Sequence, residues 1–214
     1  MAIVKGGIAL GFSGKHGNTI FSQQKDGTTI ARQVPVASQK PPTVKTLSTL
    51  GDTAICSGFL NPIKEFAQVG YELQCKIEKR NYYNSISSYV RLNAFTGVYP
   101  NRRIDFSKVL VTKGQMQLPE DATVALTEFG LAFTWNTETG TKGIHYSDQV
   151  MMLAYFPELE KAKYMTAGAQ RHQGKDLLVL NGIPHGHIAE IYISFISDNR
   201  KSISDSVYLG QLIW

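Results

Sequence analysis

Leu131-Ala132-Phe133-Thr134-Trp135 alternates large apolar side chains with small or polar ones. That is the period of a strand with one face against a core. Working outward, Thr123–Phe129 lies before it, and Gln149–Phe156, Asp176–Leu180, Ile188–Ser197 and Ser204–Leu212 follow. The stretch from Phe106 to Val111 also reads with period two. Gly130, Thr139-Gly140, Gly174, Asn181-Gly182 and Asp198-Asn199 stand between these runs as turn residues. Seven short β-rich runs spaced in this way predict an antiparallel sandwich over residues 104–214.

Upstream the period changes to that of a helix. Thr43 follows Pro41-Pro42 as a candidate N-cap, and Val44, Leu47, Leu50, Ala54 and Ile55 recur near helical spacing behind it. Asn61, ahead of Pro62, marks a second start, with Ile63, Phe66, Ala67, Gly70 and Tyr71 as its apolar stripe. A third helix is predicted from Asn81 to about Phe95, carrying Tyr82, Ile86, Tyr89, Val90 and Ala94, with Gly97 as its stop. These stripes are read as helix–helix and helix–sheet core. The helical region therefore spans 41–103.

Residues 1–40 read as an extended arm with a hairpin. Thr19–Phe21 and Thr28–Arg32 flank Lys25-Asp26-Gly27, where the glycine accepts positive φ, and Pro35 to Pro42 reads as a connector. The arm is too thin in apolar residues to hold a core of its own. It is expected to lie against the rest of the molecule or against a neighbour. Phe12, Lys15, Ile20, Phe21, Ile30 and Arg32 are its candidate contact residues. The fold class is thus α+β: arm and hairpin, about three helices, then a sandwich.

The 214 residues are 43% hydrophobic and 10% aromatic, the composition of a folded globular protein. No apolar run is long enough to cross a bilayer. The opening MAIVKGGIALGF is broken by Gly6, Gly7 and Gly11 and lacks the uninterrupted apolar core of a Sec signal peptide. The chain is expected to be made in the cytoplasm, with release as part of a particle left open. Cys56 and Cys75 both fall in helical stretches and are expected to be buried free thiols.

Charge is unevenly spread. Residues 1–103 hold 13 Lys and Arg against 5 Asp and Glu, +8, whereas residues 104–214 hold 9 against 12, −3. A positive front and a negative back suit head-to-tail contact or an acidic partner.

Few constellations invite chemistry. Gly11-Phe12-Ser13-Gly14-Lys15 suggests a phosphate loop, but Ala9 stands where the first glycine belongs and His16 where Ser or Thr should follow. His185-Gly186-His187 needs a third ligand that neither His145 nor His172 is bound to supply. Glu158 and Glu160, beside Lys161 and Lys163, read as a solvated charged loop. No nucleophile elbow occurs and neither cysteine has a reactive context. No enzyme, cofactor or metal is expected. Lys76, Lys79, Arg80, Arg91, Arg102 and Arg103 form a candidate basic contact patch with Tyr82, Tyr83 and Tyr89 interleaved, diluted by Glu72 and Glu78.

Leu131-x-Phe133-x-Trp135 resembles the second strand of a fibronectin type III domain, where a tryptophan plugs the core. Leu178-Val179-Leu180-Asn181-Gly182-Ile183-Pro184-His185-Gly186 and Ile191–Ile196 resemble a later strand exit and the strand after it. The likeness implies an Ig-like, fibronectin III-like sandwich with Leu131, Phe133 and Trp135 in its core. The whole chain also resembles an uncharacterised family of the Bacteroidetes, domain of unknown function 6266. The carrying residues are Gly11-Phe12-Ser13-Gly14-Lys15, Gly17-Asn18, Pro41-Pro42-Thr43, Phe59-Leu60-Asn61-Pro62-Ile63-Lys64, Gly97-Val98-Tyr99-Pro100, Ile104 to Leu110, and Ser204 to Gly210. That resemblance implies no activity, only that helices and sandwich come as one unit.

The functional expectation is a structural subunit of an assembly, phage-like, tail-like or filamentous, with the arm making head-to-tail contacts with itself or with other subunits. The alternatives are a monomeric carbohydrate- or protein-binding module, using exposed Tyr146, Tyr155 or Tyr164, and a sequence-indifferent nucleic-acid binder, the least favoured.

Overall fold

The computed structural model describes residues 2–7, 9, 11–24, 27–36, 40–137 and 145–214. Lys25-Asp26 of the expected hairpin turn, part of the Pro35–Pro42 connector and Thr139-Gly140 lie outside these residues. The chain forms two compact units, Met1–Thr43 and Val44–Trp214.

In the first unit, β1 (Ala2–Val4), β2 (Gly14–His16), β3 (Thr19–Gln23) and β4 (Thr29–Gln33) make an antiparallel sheet in the order β1-β4-β3-β2. The β3–β4 hairpin closes with Gln24 N–H donating to Thr28 O at 2.8 Å and Gly27 at φ +81°. The arm is therefore more than a hairpin: two further short strands flank it.

The second unit stacks three layers. Helices α1 (Val44–Leu60), α2 (Lys64–Glu78) and α3 (Tyr82–Asn93) form the first. A two-stranded ribbon, β5 (Phe95–Thr96) and β6 (Arg103–Ile104), follows them. The sandwich comprises β7 (Thr123–Leu126), β8 (Gly130–Thr134), β9 (Gln149–Phe156), β10 (Lys161–Met165), β11 (Lys175–Val179), β12 (Ile188–Ile196) and β13 (Val207–Ile213). They form two antiparallel sheets, β10-β9-β12-β13 and β11-β8-β7. This is an α+β fold with a β-sandwich.

The four-stranded sheet is the middle layer, and β9 shows why its sequence looks as it does. Met151, Leu153 and Tyr155 pack with the helices, while Val150, Met152, Ala154 and Phe156 pack with the three-stranded sheet. A strand covered on both faces reads as a continuous apolar run rather than an alternating one. Helices and the four-stranded sheet thus share one core, with Cys56, Phe59, Phe66, Tyr71, Ile86 and Val90 meeting Met151, Leu153 and Tyr155, and a second core lies between the two sheets.

Four local expectations need correction. The run Phe106–Val111 is not a strand: Asp105 accepts from Ser107 N–H at 3.2 Å and starts a 3-10 turn at Phe106–Lys108. Beyond it Ser206 Oγ accepts from Val111 N–H at 2.9 Å and Thr112 Oγ1 donates to Ser204 O at 2.9 Å, so side chains satisfy the backbone there. Conversely, Lys161–Met165 is no loop but the edge strand β10, with Ala162 and Tyr164 turned to the core between lysines, a pattern that blunts sheet edges. The second helix begins at Lys64 with Ile63 as its N-cap, not at Asn61. Finally, Val44, Leu47 and Leu50 are exposed, because the core face of α1 is Asp52, Cys56, Phe59 and Leu60 and its first two turns bury nothing. Asn81 does cap α3, accepting from Tyr83 N–H at 2.9 Å.

Candidate functional site

Paired residues in an antiparallel ladder project to the same face. In the N-terminal sheet one face carries Val4, Phe21, Ala31 and Thr29. A loop covers it: Gly11 N–H donates to Thr29 Oγ1 at 2.9 Å and the Phe12 ring meets the Phe21 ring edge-on at 5.9 Å. The opposite face holds two rows across the strands. Ile3, Ile30 and Ser22 form one, and Arg32, Ile20 and Lys15 the other. Of the six candidate arm residues, Lys15, Ile20, Ile30 and Arg32 therefore share the open face, Lys15 and Arg32 exposed and Ile20 and Ile30 half-buried, while Phe12 and Phe21 close the other. Ile3 on the open face is 59% exposed. Among the described residues of this unit no apolar side chain is buried.

A sequence model of a family of unknown function, DUF6266, matches residues 11–210. The chain belongs to that family. The match takes in β2, β3 and β4 together with the helices and nearly all of the sandwich, so the arm is part of the pattern that defines DUF6266. No curated protein matches this chain.

The candidate basic patch of the DUF6266 protein is split. Lys76 pairs with Glu72 on its own helix at 2.7 Å, Lys79 is the left-handed C-cap of α2, and Arg80 follows it. Arg91 lies ten residues beyond the Asn81 cap of α3, roughly 15 Å along the axis. It lines a cleft of about 490 Å3 with Asp52 and Arg102. The Arg102 guanidinium bonds Asp52 at 3.1 Å and sits 5.1 Å from the centre of the Phe95 ring. Arg103 on β6 turns to a neighbouring groove lined by Phe59, Phe106, Tyr155 and Glu160. Tyr82 and Tyr83 pack against the helical core instead of standing out between the cations. The structure thus joins Arg91 with Arg102 and separates both from the α2 end.

The histidine pair diverges. His187 Nδ1 lies 2.7 Å from Glu158 Oε2, while His185 stacks on Trp214 at 4.4 Å. No group of three potential ligands is assembled among the described residues. Gly14 and Lys15 sit in strand β2, not at a strand-to-helix turn, so the phosphate-loop pattern lacks its backbone. Tyr146 is 68% exposed, Tyr155 is buried, and Tyr164 donates to Glu65 at 2.7 Å, so these three tyrosines form no common platform. Among the described residues no helix is long and apolar enough to cross a membrane.

Leu131, Phe133 and Trp135 are buried in the sandwich. Trp135 Nε1–H donates to Arg171 O at 2.7 Å and its ring meets Phe195 edge-on at 5.6 Å. Here lies the feature that sequence reasoning missed. Arg171 and Asp148, both almost wholly buried, face each other at 3.6 Å, and burial pulls the Arg171 pKa down despite the carboxylate. Neither residue stands in a motif, and only their apolar flanks could have hinted at burial. Both side chains lie in the interior of the sandwich.

Proposed function

We propose that this chain is a non-enzymatic structural subunit of a larger assembly, phage-like, tail-like or filamentous, joined head to tail through its N-terminal sheet. One observation carries the reading: a four-stranded sheet in which no described apolar side chain is buried. A sheet needs a hydrophobic face packed on something to be stable by itself. Val44, Leu47 and Leu50 on the first turns of α1 are exposed apolar residues as well. A heterologous contact of arm on body closes into rings or runs on as filaments.

Light scattering over a rising concentration series tests it. The intact chain should grow in mass with concentration, and a chain lacking residues 1–34 should not. An intact chain that stays at 23.7 kDa throughout overturns the reading.

A further inference from the structure

The body of the molecule carries one segment whose chemistry is the converse of the arm's. Residues 114–141 contain no Lys, Arg or His, yet include Glu120, Asp121, Glu128 and Glu138. Residues 1–25 contain no Asp or Glu, yet include Lys5, Lys15, His16 and Lys25. The acidic segment builds β7, the edge of the three-stranded sheet, which is paired with β8 on one side only. Beside this edge Leu118 and Leu126 are 46% and 48% exposed, large apolar side chains left in water. Glu120, Asp121 and Glu128 are exposed, and none has an ion-pair partner among the described residues.

We infer that the β7 edge, with Leu118 and Leu126 flanked by Glu120, Asp121 and Glu128, receives the open face of the N-terminal sheet from a second copy of this chain. The inference rests on the assembly reading above and names the two surfaces that meet. Both sides match in kind. Ile3, Ile20 and Ile30 on the arm have exposed apolar counterparts at the edge, and Lys15 and Arg32 have carboxylates that form no ion pair among the described residues. Opposite charge steers such an encounter and fixes its register, while the apolar centre holds it.

Two charge-reversed full-length chains test it, Lys15→Glu/Arg32→Glu and Glu120→Lys/Glu128→Lys, each followed by sedimentation velocity. Alone, each should associate at least about tenfold more weakly than the unmodified chain, since like charges then face one another. Mixed in equal amounts, they should assemble again as alternating copies, because every arm then meets an edge of opposite sign. That recovery also shows that both variants are folded. If Glu120→Lys/Glu128→Lys assembles as well as the unmodified chain while removal of residues 1–34 abolishes assembly, the edge is wrong and the assembly reading stands. If the mixture stays dispersed, the pairing is overturned, and a chain whose arm folds back on its own body gives that result. If the unmodified chain never associates, both readings fall.

Discussion

Arg171 and Asp148 face each other at 3.6 Å in the sandwich interior, with the guanidinium 3.7 Å from the centre of the Phe195 ring. Asp148 also accepts from His145 N–H at 3.0 Å, and its backbone carbonyl takes Arg171 N–H at 2.7 Å, so the pair ties two chain segments together. Removing one member strands the other charge away from water, a loss of about 3–5 kcal/mol. Asp148→Ala should lower the unfolding free energy by that amount, seen as a lower urea midpoint at an unchanged slope. Asp148→Leu combined with Arg171→Met should recover most of it, since apolar groups of similar volume suit that site.

Gly70 faces the Val111–Thr112 segment so closely that an added Cβ would lie 2.7 Å from Val111 O and from Thr112 Cγ2. Lys113 N–H donates to Gly70 O at 3.0 Å and holds the two segments in contact. Alanine is the better helix former by about 1 kcal/mol, so helix propensity alone favours Gly70→Ala. The clash is with backbone and outweighs it. We expect a net loss of about 1–3 kcal/mol, read as a fall in melting temperature of about 2–4 °C per kcal/mol.

How much of this was legible in sequence follows from what each segment packs against. The strands around Leu131 and Phe133 could be read because one face meets the core and the other does not. β9 was legible only as an apolar run, and its double burial awaited the helices on Met151 and Tyr155. Phe106–Val111 misled because the Asp105 side chain starts a turn there, while the distant Ser206 side chain and Ser204 carbonyl take the bonds of Val111 N–H and Thr112 Oγ1, and periodicity encodes neither. Val44, Leu47 and Leu50 misled for the opposite reason: their spacing is helical, but the buried face of α1 begins only at Asp52. In the candidate site, Lys15, Ile20, Ile30 and Arg32 could be named one by one. That they share a face depended on the β2–β3–β4 register.

Alkaline pH should weaken the fold through its buried tyrosines. Burial, with Glu160 and Glu190 nearby, pushes the Tyr155 hydroxyl up from 10.0 to about 12. Tyr71, Tyr192 and Tyr208 are raised as well, chiefly by burial. A folded-state value above the unfolded one means that the stabilisation is whole below pH 10.0 and drains away as pH climbs to about 12. For Tyr155 alone the full loss is about 2–3 kcal/mol. Urea titrations should show the unfolding free energy falling across that window, and Tyr155→Phe should fall less steeply than the unmodified chain.

Trp214 locks the Ile183–His187 turn from the C-terminal end. Its indole N–H donates to Ile183 O at 3.0 Å, its backbone exchanges bonds with Gly186 at 2.5 Å and His187 at 3.0 Å, and its ring stacks on His185. Trp214→Ala should cost about 2–3 kcal/mol, less than a fully buried indole because the ring is part exposed. Zinc should leave the melting temperature of the unmodified chain in place, since the two imidazoles are committed to different partners. A zinc-dependent rise would contradict that assignment.

The last prediction concerns the body without the arm. Val44–Trp214 forms a compact unit of its own, and every buried apolar residue of the described chain lies within it, from Cys56 to Ile203. Stability comes mainly from that burial, and among the described residues no apolar side chain of the N-terminal sheet is buried. A chain starting at Val44 should therefore unfold in one cooperative transition, within about 1 kcal/mol of the unassembled intact chain, by urea denaturation at low concentration. At high concentration the two should part: the intact chain gains apparent stability by mass action and the truncated one does not. A truncated body that has lost several kcal/mol when dilute would show that the sheet supports its own body directly, and the open face would then need no second copy.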